Sequence, residues 1–198
     1  MKINTRLGDI FINNDQDKEI IREILDENRY SIDERIKLEG RVLDIGGHIG
    51  IFSKLALSRG CSVTTVEPEE KNFNLLKVNA KGATLINKAV TFKKEAFLNV
   101  HPDRGEMHRL AESGVKVETI SLDDLIDGEI DLLKMDIEGG EYDAFKGCTK
   151  LGMIKQITME YHLGINRVAE LIRDLEAFGF DAIYIEGERF GTLQLKRL

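Results

Sequence analysis

Apolar residues along this chain recur with two alternating rhythms, and the alternation predicts its elements. Residues 2–13 read as two short strands around Leu7-Gly8-Asp9, and residues 16–28 as a helix, with Ile20, Ile21, Ile24 and Leu25 three and four positions apart. The run RVLDI (41–45) is a short apolar stretch bounded by turn signals, which predicts a buried strand. A helix over 49–60 follows, closed by Gly60. Then come a β-branched strand over 62–67 and a helix over 68–82 with Pro68 in its first turn and Gly82 at its end. Residues 83–90 predict a further strand, with β-like pieces at 95–100 and 115–120 around a polar loop. Ser121 is placed to cap a short helix. Strands over 130–137 and 154–162 enclose a helix over 140–147, and an amphipathic helix over 166–179 starts at Asn166. The tail reads as a hairpin turning near Gly187 and adding an antiparallel edge.

Strands alternating with helices imply βαβ units, hence a mostly parallel sheet covered by helices on both faces. Such sheets bind ligands past the carboxyl ends of their strands. Asp44–Gly50, Glu67, Asn87–Lys88, Asp136–Glu141 and Glu160–His162 all fall just past a predicted strand.

Composition narrows the function classes. The 198 residues suit one domain, divided into an N-terminal extension (1–38) and a core (39–198). A net charge of −7 argues against nucleic acid held by bulk electrostatics. The two cysteines, Cys61 and Cys148, lack metal or disulfide spacing, so a reducing cytoplasm is expected. No stretch has the apolar length of a signal peptide or a membrane span. A small-molecule acceptor is the expected partner; monomer and homodimer both stay open.

Gly46, Gly47 and Gly50 form a strand-to-helix turn that lets backbone approach a ligand, but His48 breaks the dinucleotide spacing GxGxxG. Glu67, 17 residues after Gly50, ends the next strand, where an acid suits the two hydroxyls of an unphosphorylated ribose. Asp44 suits a cationic ligand group and repels phosphate. A phosphate-free adenosine carrying a cationic amino acid is S-adenosylmethionine, whose demethylated product is S-adenosylhomocysteine.

The stretches VLDIGGHIGIFSKLA, VTTVEPEEKNFNLLKVNAK, INKAV, VETISLDDLI and IDLLKMDIEGGEYDAFKG, in this order across residues 40–165, resemble the FkbM-type S-adenosylmethionine-dependent methyltransferases. The resemblance implies a class I methyltransferase fold. This is a Rossmann-like α/β sandwich with a seven-stranded, mostly parallel sheet and an antiparallel C-terminal strand. It also implies O-methylation of a small or carbohydrate-like acceptor, with N-methylation or a non-catalytic cofactor-binding module as alternatives. Carried over by residue, Asp44 and Gly46 face the methionine end, Gly50 permits the helix to start, and Glu67 binds the ribose with Pro68 shaping the turn. Asn87 and Ala89 pass the adenine, and Asp136 and Glu138 lie beside the transferred methyl. Where this chain has Gly47 and His48 the family commonly has a small residue and Asn. His48 is therefore either a substitute donor to the cofactor carboxylate or a surface residue.

Methyl transfer to a hydroxyl needs alignment and a proton acceptor. Asp136, Glu138, Glu160 and His162 are the candidate catalytic residues. A close pair of carboxylates supplies a base by raising one pKa. A divalent cation on Asp136, Glu138 and His162 is an alternative, and no metal is predicted. Glu141 sits where a helix dipole alone favours an acid. Lys134, in an apolar strand, is expected to snorkel or to pair with an acid. The 102–112 loop, with Arg104, His108 and Arg109, is a candidate acceptor cover, and His101 and His108 read as solvated. Acceptor choice is expected to lie in the first 35 residues, segment 93–115 and the tail.

Overall fold

The computed structural model describes residues 1–99, 109–111, 114–162, 165–187 and 190–197. His101, Arg104 and His108 lie outside them.

In chain order the elements are β1 (Lys2–Thr5), β2 (Gly8–Phe11), α1 (Gln16–Leu25), β3 (Arg41–Ile45), α2 (Ile51–Ser58), β4 (Ser62–Val66) and α3 (Glu70–Asn79). Then come β5 (Thr84–Ile86), β6 (Ala89–Val90), β7 (Ala96–Asn99), β8 (Arg109–Ala111), β9 (Val115–Val117), β10 (Thr119–Ile120) and α4 (Leu122–Leu125). The chain continues through β11 (Leu132–Met135), α5 (Glu141–Phe145), β12 (Gln156–Tyr161), α6 (Ile165–Glu176), β13 (Phe180–Glu186) and β14 (Gly191–Arg197).

Seven strands form the main sheet in the order β13-β14-β12-β11-β3-β4-β5. The strands β12, β11, β3, β4 and β5 run parallel. The C-terminal strand β14 is antiparallel, as the resemblance implies, but it does not form the edge: it is inserted between β12 and β13. Sequence cannot order a hairpin's arms, and β14 is the arm that buries better: Leu193, Gln194 and Leu195 are all buried. The chain moves outward from β3 in one direction and from β11 in the other, so the topological switch lies between these two central strands.

Each central strand buries both faces, which is why it reads as an apolar run rather than an alternation. Val42, Val63 and Leu132 point into a core shared with α1, α2 and the N-terminal hairpin. Leu43, Val66, Leu133 and Met135 point into the opposite core, shared with α4, α5 and α6. Local chemistry sets the helix starts. Ser121 Oγ caps α4 at Asp124 N (3.1 Å) as its position predicts. Glu69, not Pro68, begins α3: its carboxylate accepts from Asn72 N (2.6 Å), and Pro68 stays in the preceding turn. Helix α6 starts at Ile165, so Asn166 lies within its first turn instead of capping it.

A buried amide on α3 ties the N-terminal hairpin to the core. Asn79 accepts from Phe11 N (2.8 Å) and donates to the carbonyls of Phe11 (2.8 Å) and Ile49 (2.7 Å). Asn79→Ala leaves three backbone groups without that partner, and unfolding in urea should be easier by about 2–4 kcal/mol. A change under about 0.5 kcal/mol would mean water replaces the amide there.

Candidate active site

A cavity of about 490 Å³ opens over the carboxyl ends of the central strands. Its floor is the turn after β3 (Gly46, Gly47, His48), the end of β4 (Glu67, Pro68), the turn after β11 (Asp136, Ile137, Glu138), and Glu160 with His162 at the end of β12. Lys88 and Ala89 form one wall. Helix α1, through Ile20, Glu23 and Ile24, and the following Arg29 and Tyr30 form another.

The glycine turn is shaped by protein packing. Gly46 has φ +77°, and a Cβ there would sit 1.7 Å from the Asp136 carbonyl oxygen. A Cβ on Gly47 would sit 2.1 Å from Thr65 Cγ2. Gly50, with φ +91° before α2, lies behind the cavity against Leu76. Close approach was the expected reason for these glycines; the atoms approached belong to β4, α3 and the β11 turn. Gly46 and Gly47 still present backbone to the cavity.

Asp44 does not line the cavity. It is fully buried, 3.1 Å from Lys134 Nζ, and accepts from Ser53 Oγ (2.6 Å). Lys134 also donates to the Gly46 carbonyl (2.7 Å). Asp44 thus meets a cation of the protein itself, where a cationic ligand group was expected. Asn87 also sits behind the wall and donates to the carbonyls of Glu67 (2.7 Å) and Pro68 (3.2 Å), joining the ends of β4 and β5. Ala89 lines the cavity.

Glu67 presents a buried carboxylate. Its two oxygens accept from His48 N and Glu69 N, both at 2.9 Å. Burial pushes its pKa up to about 7, partly opposed by those two hydrogen bonds. Each oxygen keeps a lone pair for a hydroxyl donor, so this pair of acceptors fits the hydroxyls of a ribose.

At the other end of the cavity Asp136, Glu160 and His162 each bring one donor atom within 4.8 Å of the others. Burial raises Glu160 to about 7, reinforced by Asp136 and opposed by Arg29, whose guanidinium pairs with Glu160 and Glu23. Burial opposes ionisation of Asp136 too, but Lys134, Arg29 and His162 outweigh it and hold its pKa below the usual value. Tyr30 donates its hydroxyl to Asp136 (3.2 Å). Burial works against the charged form of His162, yet the Glu141 hydrogen bond (3.1 Å) and Glu138 raise its pKa to about 9. Glu138 Oε2 lies 3.3 Å from His162 Nε2. The trio of donor atoms therefore includes Glu160, where Glu138 was expected.

Arg29, Tyr30 and Glu141 escaped the sequence reading as site residues. The first two are brought in by tertiary packing of a segment far away in sequence. Glu141 fits a helix start equally well, and only its contact with His162 reveals the other use. His48 and Glu138 are both non-glycine residues with positive φ, +49° and +56°. Strained backbone held at a cavity is a mark of a functional site.

The family model described as "Methyltransferase FkbM domain" matches residues 44–184. Among solved structures, the chain is similar to the ribosomal protein L11 methylase of Lactobacillus delbrueckii subsp. bulgaricus (TM-score 0.53, 16% identity, 93% of this chain and 80% of that one). It is also similar to an rRNA methylase of Streptococcus thermophilus (TM-score 0.51, 12% identity, 95% and 99%). A chain of a fibrillarin/Nop5p complex gives a TM-score of 0.52 at 13% identity, covering 82% of this chain and 75% of that one. At these identities the likeness shows the fold, the class I methyltransferase sandwich. A search among curated protein sequences returns no match. Among the described residues no helix is long and apolar enough to cross a membrane.

Gly47→Ala should destabilise the protein by about 1–3 kcal/mol through overpacking against Thr65. Adding Thr65→Ser, which removes only the offending methyl, should recover part of that loss in thermal melts; no recovery would place the strain elsewhere. Glu67 sets a pH dependence. Its folded pKa of about 7 stands above the ordinary value of 4.5, so the folded state holds the proton more tightly. The stability this supplies is complete below pH ~4.5 and is lost as pH rises through ~7, by up to about 3 kcal/mol. Urea titrations from pH 4.5 to 7.5 should show a steeper decline for the native chain than for Glu67→Gln, whatever the variant's overall stability.

Proposed function

Because the chain belongs to the FkbM methyltransferase domain family and is an S-adenosylmethionine-dependent methyltransferase, we propose that it methylates a hydroxyl oxygen of a small acceptor such as a sugar or glycan precursor. The observation that carries this is the convergence of Asp136, Glu160 and His162 within 4.8 Å at one end of a cavity whose other end holds Glu67. Glu67 directly follows β4, which lies two strands from β11 and three from β12. Strand spacing therefore separates the two ends by roughly 10–14 Å.

On this reading Glu67 accepts from the ribose hydroxyls, Ala89 packs beside the adenine, and the turn from Gly46 to His48 holds the amino-acid end. The cofactor supplies an electrophilic methyl on a positively charged sulfur. The protein's part is to hold the acceptor oxygen in line and take its proton. Glu160 is matched to the second of these roles, because a carboxyl group with a pKa of about 7 is ready to accept a proton near neutral pH. His162, whose pKa of about 9 keeps it cationic near neutral pH, is poorly placed to be the base. It holds Glu138 and Glu160 in position instead. Asp136, anchored by Tyr30, keeps a negative charge beside the reacting centre.

A small acceptor is supported by the cavity volume, which falls in the range of small-molecule sites, and by α1 lying along its wall. The net charge of −7 disfavours a polyanionic acceptor.

A panel of hydroxylated metabolites and nucleotide sugars should reveal an acceptor. With it, Glu160→Gln should lower kcat by about 10²–10⁴-fold while leaving S-adenosylhomocysteine affinity within about threefold. Unchanged turnover in Glu160→Gln and in a His162 variant would favour an amine acceptor, which needs less help in losing a proton. Retained cofactor binding with no turnover on any acceptor would favour a binding module. Loss of turnover with a chelator would bring in a divalent cation at the same three donor atoms.

A further inference from the structure

Phe190 stands apart from the other exposed apolar side chains. It is 67% exposed, and among the large apolar side chains exposed on the described residues it alone lines the cavity. A single exposed phenylalanine elsewhere on a surface needs no explanation. This one is held beside the end of the cavity that carries Asp136, Glu160 and His162. The antiparallel register pairs Glu160 with Thr192 and Tyr161 with Gly191, and the next step along each strand leads to His162 and to Phe190. Tyr161, fully buried on β12, shares its hydroxyl proton between the carbonyls of Glu186 (2.8 Å) and Gly187 (2.7 Å), at and just past the end of β13. The backbone beside Phe190 is packed as closely. A Cβ on Gly187 would sit 2.1 Å from the Phe190 carbonyl oxygen, and one on Gly191 would sit 1.7 Å from the Glu186 carbonyl oxygen.

An anchored aromatic ring open to a cavity offers a flat apolar surface whose face is slightly negative. The same cavity carries Glu138, Glu160 and His162, which accept from and donate to hydroxyls. The partner that answers both is a rigid ring with hydroxyls at its edge and C–H groups on its face. A pyranose has this form, and its C–H groups are the positively polarised counterpart of the aromatic face. An open-chain polyol offers the hydroxyls but no rigid face, and fixing its rotors costs more entropy. We infer that Phe190 is the stacking platform for the acceptor, and that the acceptor is a saccharide ring lying against it with the reacting hydroxyl toward Glu160. The inference deepens the proposed O-methylation and rests on Glu160 marking the acceptor end of the cavity.

The chain contains no tryptophan, so Phe190→Trp puts a lone fluorophore at this position and keeps a stacking face. With that variant saturated by S-adenosylhomocysteine, methyl glycosides of hexoses and pentoses should change its emission saturably, and glycerol at the same concentrations should not. For a saccharide acceptor found by turnover, Phe190→Ala should raise KM by about tenfold or more, with a smaller change in kcat and with S-adenosylhomocysteine affinity within about twofold. Phe190→Tyr, which keeps the ring, should hold KM within about threefold of the native chain. No saturable response to any glycoside, or an equal response to glycerol, overturns the platform. A response to catechol and to no glycoside overturns the saccharide and makes the acceptor a phenol. If S-adenosylhomocysteine does not bind the native chain, the cofactor reading itself falls. If it binds and an open-chain polyol is the acceptor methylated, O-methylation stands and the platform alone is rejected.

Discussion

The site depends on one buried ion pair. Lys134 on β11 and Asp44 on β3 are register partners on the two central strands, and their side chains meet at 3.1 Å with almost no exposure. Desolvating two charges is costly, so such a pair persists when further hydrogen bonds complete it. Here Lys134 also donates to the Gly46 carbonyl, and Asp44 accepts from Ser53, whose hydroxyl lies 2.6 Å from that of Thr65. One network therefore ties β3, β11, β4 and α2 together just beneath the cavity floor. It sets the Gly46 peptide and, through the chain, the turn that carries His48. Gly46 must be glycine because the Asp136 carbonyl occupies the space of its Cβ. The two turns that build the floor thus lock against each other as well as onto the strands.

Electrostatics distinguishes the two ends of the cavity. Glu67 and Glu160 are both raised to about 7 by burial, but their company differs. Backbone N–H groups hold Glu67, which suits a hydrogen-bond acceptor that stays in place. Asp136, Arg29 and His162 surround Glu160, so its proton affinity is a balance among neighbouring charges of both signs. A balance of that kind is what a proton acceptor near neutral pH requires. The raised pKa of His162 follows from the same crowding: Glu141 and Glu138 lie 3.1 and 3.3 Å from its ring nitrogens, and Asp136 adds to them.

Much of the fold was legible because periodicity and turn residues are local. The βαβ order, the strand ends and the positions of Glu67, Asp136, Glu160 and His162 follow from apolar runs that stop at polar residues. What was not legible is tertiary. The insertion of β14 between β12 and β13 depends on which arm of the hairpin buries better. The glycines signalled a close approach but not its target, and a Cβ at Gly47 would meet Thr65. The acid at 44 read as a ligand contact because its counter-charge sits 90 positions later, in a strand where a lone lysine gives no hint of its partner.

The N-terminal segment is the clearest such case. By sequence, residues 1–38 look like an extension, and the family match starts at residue 44. In the folded chain this segment reaches both ends of the cavity: Asp17 meets His48, while Arg29 and Tyr30 meet Glu160 and Asp136. Between them α1 lays Ile20, Glu23 and Ile24 along the wall. A surface contributed by a segment outside the matched core can change without disturbing the strand ends that the core holds in place. The central sheet fixes the floor of the cavity, and α1 supplies part of its wall. Asn79, gripping Phe11 by both its backbone groups, ties the hairpin that precedes α1 to α3 and to the turn before α2.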